Sequence, residues 1–157
     1  MRSFIAVILF SAASLVSARA AEVEFVRVWP GWRDADSFER ISEYFTGEEK
    51  TGREVVLRTH PERREGFYYL VRVANSGEAL AGATFVLRVI SPLGPDPKII
   101  SFPVEIPKRS KVFLLGLTGP EWPNQEVHPV AWKLELRSPT DEILASAQSF
   151  LWQKPAK

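Results

Sequence analysis

The chain has no cysteine, one methionine and only two histidines. Without cysteine there are no disulfide staples, no thiolate nucleophile, no cysteine metal site and no lipid-modified cysteine. Stability must come from packing, which a chain with 45% hydrophobic residues can support. His60 and His128 each directly precede a proline, which places them at strand ends or in turns. Neither has a histidine partner at i+2, i+3 or i+4, and Glu62 beside His60 does not complete a zinc shell of three or four ligands. No G-x-S-x-G elbow and no S-x-x-K are present, and a serine triad would have to recruit one of those two histidines. No metal, cofactor or catalytic residue is expected.

Charge of one sign is lacking too. Of 20 Lys and Arg against 19 Asp and Glu, removal of residues 1–20 would take Arg2 and Arg19 and no acid, leaving a formal charge of −1. That balance argues against a general nucleic-acid binder, which needs a basic excess on one face. Beyond residue 20 no apolar run approaches the ~20 residues that cross a bilayer. No transmembrane segment is expected in the mature chain.

What is present begins at the N-terminus. Arg2 supplies a charged start, Phe4 to Phe10 is apolar, and Ala18-Arg19-Ala20 forms an A-x-A cleavage site. This is the order of a secretory signal peptide over residues 1–20. The expectation is an exported protein, secreted or periplasmic, with residues 21–157 forming one domain near the common single-domain size.

Most of that domain has the period of strands. Val130 to Arg137 places an apolar residue at every even position, giving one buried and one wet face. Ser138-Pro139-Thr140-Asp141 is turn chemistry, and Ile143 to Trp152 reads as the returning strand of a hairpin. Upstream runs at Val23–Trp29, Arg53–Thr59, Gly66–Ala74, Ala83–Ile90, Ile99–Ile106 and Lys111–Leu117 are separated by Gly, Pro and Asn breakers. Pro103 should put its strand at an edge or a bulge. One segment has helical spacing instead. Asp36 and Glu39 form a capping-box pattern, Phe38, Ile41 and Phe45 recur on one face with Tyr44 beside them, and Gly47 can end the helix. The predicted architecture is all-β: a single immunoglobulin-like antiparallel β-sandwich of about eight strands with one short helix near the N-terminus, over about Asp36 to Thr46.

Val71-Arg72-Val73-Ala74-Asn75-Ser76-Gly77, followed by Ala83-Thr84-Phe85-Val86-Leu87-Arg88-Val89, resembles the hairpin of bacterial cell-adhesion-related (CARDB-like) surface sandwiches. The resemblance covers about 20 residues. It implies an immunoglobulin-like fold, an extracytoplasmic setting and a non-catalytic role, and it supplies no site residues.

Charged and aromatic groups are the remaining candidates for a site. Asp34, Asp36, Glu39 and Glu43 cluster, but acids at a helix start serve capping and the dipole. Asp34-x-Asp36 starts like a calcium loop, yet Phe38 and Glu39 stand where a ligand and a glycine are needed. Arg53, Arg58, Arg63, Arg64 and Arg72 interleave with Glu54, Glu62 and Glu65, the mark of a solvated face. Trp29-Pro30-Gly31-Trp32 puts two indoles around an expected turn, and Trp122 lies in another loop. Trp29, Trp32 and Trp122 are therefore the candidate ligand-stacking residues, against the alternative that they plug the ends of the sandwich. Trp132 belongs to the core by alternation. The functional expectation is an exported non-catalytic binding or interaction module whose partner is a protein or envelope polysaccharide. The alternative is a carbohydrate-binding or enzyme-accessory sandwich that uses exposed tryptophans.

Overall fold

A computed structural model describes residues 22–39 and 52–153. The strands are β1 (Val23–Arg33), β2 (Glu54–Arg58), β3 (Gly66–Asn75), β4 (Leu80–Ile90), β5 (Lys98–Ile106), β6 (Lys111–Thr118), β7 (Ala131–Arg137) and β8 (Ile143–Gln148). A short helix, α1 (Phe150–Gln153), follows β8, and 3₁₀ turns occupy Ala35–Phe38 and Gly119–Glu121. Each strand falls on one of the eight runs read from periodicity.

The strands form two four-stranded sheets, ordered β1-β3-β6-β2 and β5-β4-β7-β8. All pairings are antiparallel except one. β2 runs parallel to β6, with Glu54 opposite Val112 and Arg58 opposite Gly116. The fully antiparallel expectation is corrected there: β3, β4 and β5 lie between β2 and β6 in the chain, a separation long enough to bring the second strand of a parallel pair back in the same direction.

The sheets pack face to face because alternation is nearly complete. Phe67, Tyr69, Val71 and Val73 of β3 point inward with Phe113, Leu115 and Leu117 of β6. They meet Ala83, Phe85, Leu87 and Val89 of β4 and Leu134 and Leu136 of β7. Each large side chain so buried contributes about 1.5–3 kcal/mol. The ring of Phe85 lies edge-on to Phe113, 5.2 Å between centroids, and so joins the two sheets directly. A second, smaller cluster sits on the outer face of the first sheet, where Phe38, Tyr68 and Leu114 are buried with Val56 and Leu70 beside them.

Four local expectations change. Asn75 does not turn β3 into a hairpin with β4, since the two strands belong to different sheets. Its side-chain amide donates to the carbonyls of Glu78 and Pro107 while its Oδ1 accepts from the Gly77 amide, and this tied turn sends the chain across the sandwich. Trp29-Pro30-Gly31-Trp32 is not a turn but part of β1. Pro30 is tolerated because β1 is an edge strand, where a missing amide hydrogen can face away from the ladder. The run from Ile143 stops being strand at Gln148, where Ser149 closes against both backbone groups of Trp132 and α1 begins. Around Asp36 the described residues form one 3₁₀ turn, with Asp34 in the cap position and Glu39 already extended. The remainder of the expected helix lies outside the described residues.

Candidate binding groove

One long side of the sandwich is closed and the other is open. Edges β1 and β8 lie against each other. On the opposite side edges β2 and β5 diverge and leave a groove of about 790 Å³. Val55 and Leu57 of β2 line one wall, Pro103, Val104 and Ile106 of β5 the other, and Leu80 the base. A second cleft of about 290 Å³ continues it past Leu57 and Pro103 toward Arg58 and Pro61. Val55, Leu57, Leu80 and Val104 face the core but remain half-buried, whereas the equivalent Phe85 and Leu115 in the middle of the sheets are fully covered.

The groove is apolar with one cation at its end. Lys111 opens β6 opposite Val73, at an inward-facing position, and is half-buried. Its ammonium group makes no hydrogen bond or ion pair among the described residues. Glu105 also borders the groove, but it alternates with the inward Val104 and stands exposed on the outer face of β5. Periodicity reports inward-facing residues without saying whether a sheet edge above them is covered, so the groove was invisible in the sequence. Its only trace there was Pro103, correctly read as an edge-strand residue.

The three tryptophans part company. Trp122 is buried, its ring 5.2 Å from Phe67 and its indole Nε1–H donating to the Val127 carbonyl at 2.8 Å. It plugs the core end and offers no stacking face, so the three indoles do not form one platform. Trp29 and Trp32 both border a cleft of about 360 Å³, with Asp34, Ser37 and Tyr68. Trp29 is 59% exposed with the Arg27 guanidinium 4.2 Å from its ring centre. Trp32 packs partly on the core and donates its Nε1–H to Asp34 at 2.8 Å. Trp132 is half-buried on the core, edge-on to Tyr69.

The histidines do structural work. His60 Nδ1 lies 2.9 Å from the Thr118 carbonyl, which can only accept, so that nitrogen carries the proton. The His60 amide donates to Thr118 Oγ1, and that hydroxyl donates in turn to the His60 carbonyl. His128 is exposed, edge-on to Phe67. Among the described residues no three His, Asp or Glu side chains group as metal ligands.

One constellation was missed by sequence reading. Glu135 sits on the outer face of β7, expected to be wet, yet is only 2% exposed. Arg88 reaches it at 2.9 Å, Lys133 at 2.7 Å and Arg137 at 2.6 Å. Desolvation opposes the anion, but hydrogen bonds from Lys133, Arg137 and Arg88, with the Arg88 charge, outweigh it and hold its pKa at about 2. A carboxylate so saturated is a poor base. Its cross-strand partner, Arg88, comes from β4 and could be identified only through the β4–β7 pairing. The phenol of Tyr69 is a different case. Burial pushes its pKa far up, and its hydroxyl has no hydrogen-bond partner among the described residues.

No protein-family model, curated protein or solved structure matches this chain. Among the described residues no helix is long and apolar enough to cross a membrane.

Proposed function

We propose that this chain is an exported, non-catalytic interaction module with an immunoglobulin-like sandwich fold, and that it binds through the groove between β2 and β5. The observation that carries the reading is the groove itself, about 790 Å³, walled by Val55, Leu57, Leu80 and Val104, which pack on the core yet remain half-buried. Apolar surface in a concave site is where binding free energy is gained. Export rests on the charged, apolar, A-x-A order of residues 1–20. The immunoglobulin-like type is supported by the way the chain passes between the sheets after β3, β5 and β6 and returns within one sheet at β4–β5 and β7–β8.

A photo-crosslinking residue at Val104 in the mature protein, produced in its native host, tests the reading. Discrete adducts are expected there and not with the same residue at Ser146 on β8. Equal labelling at both positions, or none at Val104, would refute a binding role for the groove.

A second reading is favoured by the cleft that Trp29 shares with Trp32: a small saccharide stacked on Trp29 with Asp34 at its edge. Glycan binding lost in Trp29→Ala and retained in Val104→Lys would select it over the first.

A further inference from the structure

We infer that the groove takes an extended segment of a partner protein, added as an antiparallel strand along the side of β2 that faces away from β6, with a carboxylate of that segment against Lys111. This rests on the groove being the binding surface and specifies what occupies it.

The four sheet edges are not equivalent. Unpaired strand edges attract other chains, and proteins blunt them with proline, bulges or cover. β1 carries Pro30, a bulge between Phe25 and Arg27, and the company of β8. β8 faces that same closed side and pairs with β7 through a register shift. β5 carries Pro103, which removes a backbone donor beside the groove. β2 has none of these devices: it is regular over Glu54–Arg58, contains no proline and, among the described residues, pairs only with β6.

Which backbone groups it offers follows from the ladder. The Thr59 amide donates to the Gly116 carbonyl at 3.0 Å, so Thr59 faces β6. Residues of a strand alternate in the direction of their backbone groups, so Leu57 and Val55 also face β6. Glu54 and Val56 then point their N–H and C=O groups away from β6, toward the open side. A strand added there would place alternate side chains over Val55 and Leu57, inside the 790 Å³ groove and against Val104. Main-chain bonds would supply affinity and the apolar pockets selectivity, the logic of β-augmentation.

Charge sets the direction. Lys111 and Glu54 lie at the same end of the groove, since Glu54 pairs with Val112. Glu54 lies on the outer face with Val112 and Arg72, whereas Lys111 lies on the inner face with Val73. An incoming strand antiparallel to β2 would end beside Lys111. A terminal or near-terminal carboxylate there would pair with the one half-buried cation of the groove.

The test uses the mature chain and a fluorescein-labelled peptide of about ten residues, alternating valine with threonine or lysine and ending in a free carboxylate. Wild type should bind it, and amide exchange at Val56 should slow. Val56→Pro removes the central edge donor without touching the β2–β6 bonds and should weaken binding at least about tenfold, a little over one hydrogen bond's net worth. A probe N-methylated at its centre should lose as much with wild-type protein, which keeps the test decisive if Val56→Pro folds poorly. Lys111→Gln, or a C-terminally amidated probe, should each cost about threefold to tenfold and should not add. No binding by wild type, or binding indifferent to N-methylation and to Val56→Pro, would overturn strand addition. If Val104 crosslinks nevertheless persist, the groove remains the binding surface and only its occupant is wrong. Dimerisation of the chain lost in Val56→Pro would assign the edge to a second copy and also overturn the inference.

Discussion

The Glu135 cluster makes stability depend on acid in a way that can be worked out. Its carboxyl titrates at about 2 in the folded chain, against an ordinary glutamate value of 4.5. A group whose folded pKa is depressed contributes stability above its unfolded pKa, and that contribution is lost as pH falls through the folded value. The window is therefore pH 4.5 down to about 2. Converted in full, the shift would amount to about 3 kcal/mol. The three cations keep 21–29% of their side-chain surface in water, so solvent screening should reduce this by about half, to about 1.5 kcal/mol. Glu135→Gln keeps the shape and removes the charge. Urea unfolding at pH 7 should show the variant less stable by about 1.5 kcal/mol, leaving Arg88, Lys133 and Arg137 crowded without their anion. The difference should shrink between pH 4.5 and 2 and approach zero at the acid end. A deficit of constant size across that window would refute the linkage and assign the loss to packing.

Three further outcomes are expected. Tyr69→Phe removes a buried hydroxyl that has no partner among the described residues, so it should be neutral or stabilising by about 1 kcal/mol in urea unfolding; a clear loss would reveal a bond the hydroxyl makes. Gly116→Ala should destabilise by about 1–3 kcal/mol, the range for overpacking, because the Tyr68 ring lies where a Cβ would go; the loss should be largely relieved in the Tyr68→Ala background. Mass spectrometry of exported protein should find Ala21 at the N-terminus, and an intact Met1 on exported material would contradict the A-x-A reading.

Periodicity located strands well because alternation on a buried face is strict. The even positions of β7 place Trp132, Leu134 and Leu136 toward the core, and all three pack there. It was less good at what happens between faces and between sheets. Trp-Pro-Gly-Trp looks like a turn to any local rule, yet an edge strand can absorb Pro30, and Gly31 adopts no left-handed backbone there. Asn75-Ser76-Gly77 is a tied turn, as its residues indicate, but the next strand crosses to the other sheet, and one of the bonds that tie the turn runs to the Pro107 carbonyl, 32 residues away. Glu135 alternates as a surface residue, yet Lys133 and Arg137 of its own strand and Arg88 of the neighbouring one close over it.

The candidate site was least legible for a related reason. Trp29, Trp32 and Trp122 attract notice as residue types, but exposure decides stacking, and exposure is tertiary: the Trp122 indole is fixed inside by Phe67 and the Val127 carbonyl. The groove is made by ordinary Val, Leu and Ile residues that differ from the rest of the core only in lacking a neighbour. What marks it is the distribution of edge devices. Proline stands in β1 and β5, bulges or register shifts interrupt β1 and β8, and β2 alone is regular beside an uncovered apolar wall. An edge left unblunted next to buried-type surface is a hazard unless something occupies it. That pairing of hazard with apolar shape argues that the open side of the sandwich is a place for another chain.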